Sequence, residues 1–181
     1  MGWQLRRASV ADLEAIMPLE RAIFRGDAWS ANGMRNELAN PQTYYLVAQR
    51  APTPEQPTLV DAIDGYAGLF APRGALEGDI QTIAVAGSAR RGGLGRTLVE
   101  TLIAEARNRG VHQIFLEVRA DNPGAQALYE SLGFLRVAVR ENYYPADGMA
   151  AIVMRLDIPT PIVTIAKGTV ADGTLARGTI A

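Results

Sequence analysis

The stretch Arg90-Arg91-Gly92-Gly93-Leu94-Gly95-Arg96 places three arginines and three glycines directly before an amphipathic run. Amides that open a helix lack intrahelical partners and sit at the positive end of its dipole, and glycines let a bound group approach the backbone closely. Arginine side chains add charge-assisted hydrogen bonds. Three occupants suit such a turn: an anion in general, a phosphate in particular, or no ligand at all. The two best-known phosphate patterns are not met. A P-loop ends in Gly-Lys-Ser/Thr, and Arg96-Thr97 supplies no lysine. A dinucleotide fingerprint needs a third glycine where Leu98 stands, although Glu117 lies near the distance of its acidic ribose ligand. Glu117 is itself a polar residue within the otherwise apolar "IFLEVRA". On its own it reads as a solvent-facing strand glutamate, a partner of Arg119, or a proton acceptor.

The elements that must carry these residues follow from periodicity and punctuation. "DIQTIAV" predicts a strand leading into the glycine-arginine turn, with Ile80, Thr82 and Ala84 alternating against Gln81, Ile83 and Val85. After the turn, Leu94, Leu98, Leu102 and Ala106 lie four apart, so the helix has one apolar stripe. Glu105 and Arg109 form an i,i+4 pair and Gly110 suits the C-terminal cap. "HQIFLEVRA" is the next strand, with His112 a polar residue at its start. Asn122-Pro123 sets a capping side chain before proline at the first helical position, and the helix ends at Gly133 with Tyr129 as a core residue. "FLRVAVRENYY" and "AAIVMRLDI" predict an antiparallel pair.

Upstream, "WQLRRAS" is strand-like, and Ser9 with Asp12 predicts a capping box opening a helix that Pro18 kinks or divides. Ser30 caps a second helix that Asn40-Pro41 stops. "TYYLVAQR" and "AIDGYAGLF" are strands joined by a proline-rich loop, 51–61, predicted to be mobile. One domain is expected over 1–158. Residues 159–181 form a tail in which "TIAKG TVADG TLARG TIA" repeats every five residues, matching neither helix nor strand period. That tail is expected to be weakly ordered or added as a strand.

Composition narrows the chemistry. The 181 residues contain 18 basic and 19 acidic side chains, so no global charge points to nucleic acid or an anionic membrane. With no cysteine there is no thiolate nucleophile or cysteine-bound zinc, and the single histidine argues against a histidine metal centre or a Ser-His-Asp triad. No metal is therefore expected. No run approaches about 20 apolar residues and the N-terminus lacks a signal-peptide core, which predicts a cytoplasmic protein.

In combination these segments resemble a known family. Arg90-x-x-Gly93-x-Gly95 is similar to the pyrophosphate loop Gln/Arg-x-x-Gly-x-Gly/Ala of the GNAT superfamily of N-acetyltransferases. "TIAV" before it, "LEVRADNPGAQALYESLGF" after it and "NYYP" beyond resemble the branch that acetylates the N-terminal alanine of a small-subunit ribosomal protein. The likeness spans roughly residues 3 to 157 and is densest from 80 to 145. It implies a mixed α/β fold with a mostly antiparallel sheet of six to seven strands flanked by helices, its central pair splayed to admit acetyl-CoA. The anion of the opening question is then the pyrophosphate of coenzyme A.

The resemblance also implies roles. The loop amides of Arg91, Gly92, Gly93, Leu94, Gly95 and Arg96 hold the diphosphate. Ile83 and Ala84 line the acyl arm, and the backbone N–H of Val85 is the donor to the thioester oxygen. An attacking α-amine has a pKa near ~8 and benefits from a base, for which Glu117 matches the family's glutamate, acting directly or through water. Tyr129 matches the proton donor to the leaving thiolate, a role compatible with a packed ring. Asn122 matches a position bonding the pantetheine arm, beside its reading as a cap. Trp29 and the Asn142-Tyr143-Tyr144 run match an acceptor wall, with core or loop packing the alternative. Lacking a cysteine or an activated serine, the chain is expected to work by direct attack without an acyl-enzyme.

Three features depart from the family. Ala28 stands where proline often precedes the tryptophan, the 51–60 loop is long, and the tail has no counterpart. All three bear on the acceptor. Other protein N-termini or a small amine are alternatives to the ribosomal acceptor, and a non-catalytic acyl-CoA-binding module is a rival of another class. Oligomeric state is not legible.

Overall fold

The computed structural model describes residues 2–51 and 62–159. The proline-rich loop beyond Ala51 and the tail from Thr160 lie outside the described residues. Among the described residues, seven strands and four α-helices run in the order β1 (Trp3–Arg7), α1 (Leu13–Phe24), α2 (Ala31–Ala39), β2 (Thr43–Arg50), β3 (Gly65–Phe70), β4 (Glu77–Val85), α3 (Leu94–Asn108), β5 (Gln113–Arg119), α4 (Pro123–Ser131), β6 (Leu135–Tyr144) and β7 (Met149–Asp157). They build one sheet in the order β1-β2-β3-β4-β5-β7-β6, antiparallel except at the centre. The mixed, mostly antiparallel sheet of the sequence reading is what forms. Among the described residues no helix is long and apolar enough to cross a membrane.

The centre of the sheet opens. β4 and β5 run parallel and pair only from Glu77/Gln113 to Asp79/Phe115. Beyond that point β4 stays with β3 while β5 stays with β7. The two strands therefore part like the arms of a V, and among the described residues no strand fills the space between their inward edges.

Two cores flank the sheet. α1 and α2 cover one face, where Leu13, Ile16, Met17 and Met34 meet Tyr45, Val47, Tyr66 and Ala84. α3 and α4 cover the other, where Leu94, Leu98, Leu102 and Tyr129 meet Leu46, Ala67, Leu69 and Leu116. Burying each α3 leucine contributes about 1.5–3 kcal/mol, enough to fix which way the helix faces. α1 runs unbroken through Pro18 rather than dividing there. One backbone donor is lost, and the burial of Leu13, Ile16 and Met17 holds the helix across it.

The expected alternation in β4 does not persist. Gly68 pairs with Thr82 but Leu69 pairs with Ile80, so Gln81 is an extra residue, a β-bulge. Past the bulge the phase flips: Ile80 joins the α3 core with Ile83 and Val85, while Ala84 faces α1. The bulge is held from behind. The Tyr45 hydroxyl donates to Gln81 Oε1 at 3.1 Å, and Gln81 Nε2 donates to Glu37 at 3.1 Å. Tyr45 lies flat over Gly68, where a Cβ would stand 2.3 Å from its ring.

Arg109 is more than the helix-surface partner its spacing suggests. An exposed i,i+4 pair is worth about 0.3–0.5 kcal/mol. Here the guanidinium, 3% exposed, donates to Glu105 at 2.7 Å and to the carbonyls of Gln42, Ala71 and Thr43 at 2.9, 2.9 and 3.3 Å. It welds the end of α3 to β2 and β3. Arg109→Met leaves buried acceptors and a carboxylate without their donor, and is expected to cost about 3–5 kcal/mol. Chemical denaturation reads that loss as a lower midpoint at unchanged slope.

Candidate active site

A cleft of about 1020 Å³ fills the V between β4 and β5. One side is built by the turn that follows β4. Arg91 takes a left-handed conformation at φ 60°, and Gly93 at φ 89° is the residue from which α3 departs. Such angles favour glycine at 93 and strain arginine at 91. Thr97 N–H reaches back to the Gly93 carbonyl at 3.1 Å, so the amides of Leu94, Gly95 and Arg96 precede the first helical bond. Arg90 Nε donates to the Val85 carbonyl at 3.2 Å, tying the turn to the end of β4. Arg96 is held by Ser131 at 2.6 Å, which draws α3 and α4 together at the rim.

Glycine at 95 is not demanded by packing. A Cβ there would meet Leu128 at 3.5 Å and Val85 at 3.9 Å, ordinary contact distances. What the glycine keeps bare is a backbone surface lining the cleft. Gly92 differs: it lies against the Trp3 indole, where a Cβ would stand 2.5 Å from the ring, and it does not line the cleft.

β4 presents donors to the same space. Ala86 N–H bonds to the Asp64 carbonyl at 2.8 Å. Antiparallel ladders alternate, so the pairs Val85/Gly65 and Ile83/Ala67 are non-bonded and their β4 amides point away from β3, toward the open edge. Ile83 and Val85 line the cleft. Ala84 does not; period-2 alternation turns its side chain into the α1 core, correcting its expected place along the acyl arm.

On β5, Glu117 lines the cleft with its side chain 25% exposed. Its partner is Arg140 of β6 at 3.1 Å, not Arg119. Arg119 is engaged by Asp27, Asp121 and Asp147 instead. Tyr129 also lines the cleft, 8% exposed and edge-on to Phe134 at 5.9 Å between centroids. Burial, with a smaller contribution from Tyr144, pushes its phenol above the ordinary tyrosine range, so it holds its proton throughout neutral pH. Asn122 accepts from Ala125 N–H at 3.1 Å as the cap of α4 and lines the cleft as well. Both readings of that residue are geometrically compatible.

Trp29, Tyr143 and Tyr144 line the cleft, and the two tyrosines meet edge-to-face at 5.1 Å. Burial and then Tyr143 raise the Tyr144 phenol to about 12. Asn142 does not line it. That residue sits at φ 54° in an irregular part of β6, between the Arg140/Ala151 and Tyr144/Met149 pairs.

Glu20 escaped sequence reasoning. It is wholly buried in α1, lines the cleft, accepts from Trp29 N–H at 2.7 Å and accepts from the Tyr66 hydroxyl. Desolvation raises its pKa, opposed by those two hydrogen bonds. A signal existed: Leu13, Ile16, Met17 and Glu20 follow i, i+3, i+4, i+7, so the glutamate occupies a position on the apolar stripe.

Comparison with known proteins agrees with this geometry. The acetyltransferase (GNAT) family profile matches residues 13–134. The chain is 36% identical over 154 residues to the N-alpha-acetyltransferase RimI of Mycobacterium tuberculosis, covering 83% of this chain and 90% of that protein. It is 39% identical over 148 residues to an uncharacterised Mycobacterium leprae protein, covering 80% of this chain but spanning only 38% of that longer relative. The crystal structure of the ribosomal-protein-S18-alanine N-acetyltransferase from Escherichia coli superposes with a TM-score of 0.74 at 30% identity, over 91% of this chain and 99% of that one.

Proposed function

Since the chain belongs to the GNAT family of acetyltransferases, we propose that it acetylates the N-terminal alanine of a small-subunit ribosomal protein, using acetyl-CoA in a ternary complex. The observation that carries this reading is the split between β4 and β5. It gathers open helix-terminal amides, an ion-paired carboxylate and a buried phenol in one cleft. The M. tuberculosis and E. coli relatives, whose names specify N-terminal and ribosomal-protein-alanine acetylation, support the choice of acceptor. A ribosomal acceptor puts the reaction in the cytoplasm.

Acetyl-CoA fits what the residues offer. Leu94, Gly95 and Arg96 present amides, Arg90, Arg91 and Arg96 supply positive charge, and the bare surface at Gly95 accepts a close-lying ligand. The bound thioester supplies the electrophilic acyl carbon. The Val85 amide, directed at the open edge of β4, stabilises negative charge that develops on the acyl oxygen. Glu117 takes the proton of the incoming α-ammonium, directly or through water, with Arg140 fixing its carboxylate. Tyr129 returns a proton to the leaving sulfur. Asn122, its carbonyl committed to the α4 cap, keeps its amide NH₂ for the pantetheine arm. Trp29, Tyr143 and Tyr144 wall the acceptor.

Peptides beginning with alanine, serine and methionine test the acceptor. Fastest turnover on an alanine-initiated peptide from the ribosomal protein is expected. Turnover confined to a polyamine or aminoglycoside overturns the ribosomal assignment and leaves the family intact.

A further inference from the structure

One guanidinium joins three segments that are remote in sequence. Arg119, at the end of β5, is bonded to Asp121 at 3.0 and 3.2 Å, to Asp147 at 2.5 Å and to Asp27 at 3.4 Å. Its carbon lies 4.8 Å from the centroid of the Tyr144 ring. Asp27 belongs to the turn joining α1 to α2, two residues before Trp29, and Asp147 to the turn joining β6 to β7. A second link runs in parallel, because Asp27 Oδ1 accepts from Ala146 N–H at 3.1 Å. The backbone of Arg119 is anchored too: its carbonyl accepts from Gln126 Nε2 at 2.9 Å. Both turns reach the cleft: Asp27 and Trp29 line it from the first, and Tyr144, the last residue of β6, and Pro145 line it from the second.

We propose that Arg119 is a positioning residue: it clamps the α1–α2 and β6–β7 turns against each other and so sets the width of the acceptor groove. This rests on the acetyltransferase reading above. The charge balance supports a clamp rather than a simple pair. Three carboxylates surround one cation, and the two exposed ones, Asp121 and Asp147, are held below the usual carboxylate range first by hydrogen bonds from Arg119. A planar, five-donor fork presents separate edges to its three partners, whereas the three donors of an ammonium radiate from a single nitrogen and cannot span them in the same geometry. Exposed ion pairs add little to global stability. Their effect therefore falls on where the two turns sit, while the diphosphate end of the cofactor site, built on β4 and α3, supplies none of the partners bonded to the Arg119 guanidinium.

The test compares Arg119→Lys and Asp27→Asn in the full chain, measuring kcat, both KM values and thermal unfolding. Asp27→Asn keeps an oxygen for Ala146 N–H but loses the ion pair, so it isolates the clamp. Each variant is expected to raise the acceptor KM about tenfold, with acetyl-CoA KM moving less than about twofold. The double variant should be no worse than the poorer single one, because both cut the same link. An unchanged acceptor KM in both variants, equal losses for both substrates, or fully additive effects would each overturn the proposal. Wild-type turnover in the same assay separates the two readings. If wild type prefers another amine, the ribosomal assignment fails while the same KM ratios, taken on that amine, still decide the clamp.

Discussion

Glu117→Gln is expected to lower kcat by about a hundred- to ten-thousand-fold at saturating acetyl-CoA, with KM for acetyl-CoA nearly unchanged. The substitution keeps size and hydrogen-bonding reach but removes the only feature that accepts a proton. Arg140 loses its partner at 3.1 Å, yet that arginine is 56% exposed, so water replaces the contact at little cost. Thermal stability should therefore hold. Rate and fold separate cleanly here. Raising the pH should recover part of the loss, because an α-amine with a pKa near ~8 deprotonates without help. Unchanged turnover, with coenzyme A still bound, would remove Glu117 from the mechanism.

Tyr129→Phe is expected to cost about a hundredfold or more in kcat. The ring packs edge-on against Phe134 at 5.9 Å and is 8% exposed, so phenylalanine fills the same space. Only the hydroxyl is lost. Burial holds that hydroxyl above its ordinary pKa, so wild type carries the proton across the neutral range and should show no basic limb from this group near pH 8. A thiolate leaving group is the step affected. Pre-formed coenzyme A should therefore bind the variant as tightly as wild type, and stopped-flow measurement of thiol release should show the defect. Equal rates for both proteins would mean that another donor, or water, protonates the sulfur.

Much of this arrangement was legible because it is local. Ser9 and Asp12 do form the capping box, with Asp12 accepting from Ser9 N–H at 2.8 Å. Ser30 and Asn122 cap their helices, and Gly110 and Gly133 take the positive φ their positions suggested. Each of those features depends on residues within a turn of one another. The β4 bulge was not legible. Its consequence, a reversal of which residues face α3, depends on pairing with Gly68 and on Tyr45 two strands away. Alternation in a single strand carries no mark of an extra residue.

The same divide separates the ionisable groups. Glu105–Arg109 is visible as a spacing, but the three carbonyls that Arg109 serves come from the start of β2, the residue before it and the residue after β3. Glu117 sits two residues from Arg119, which made that pair one of its readable alternatives, whereas its partner in the fold, Arg140, lies on another strand. Arg119 instead gathers carboxylates whose numbers span 27 to 147, a grouping only the fold creates. Glu20 stands between these cases. Its position on an apolar stripe was readable, while its partners Trp29 and Tyr66 were not.

A crystal structure with coenzyme A covalently joined to an alanine-initiated peptide tests the central claim most directly. Diphosphate oxygens are expected about 3 Å from the amides that open α3, with the acyl oxygen facing the Val85 amide and the peptide nitrogen beside Glu117. A diphosphate bound anywhere but that helix terminus, or a peptide nitrogen remote from Glu117, would contradict it.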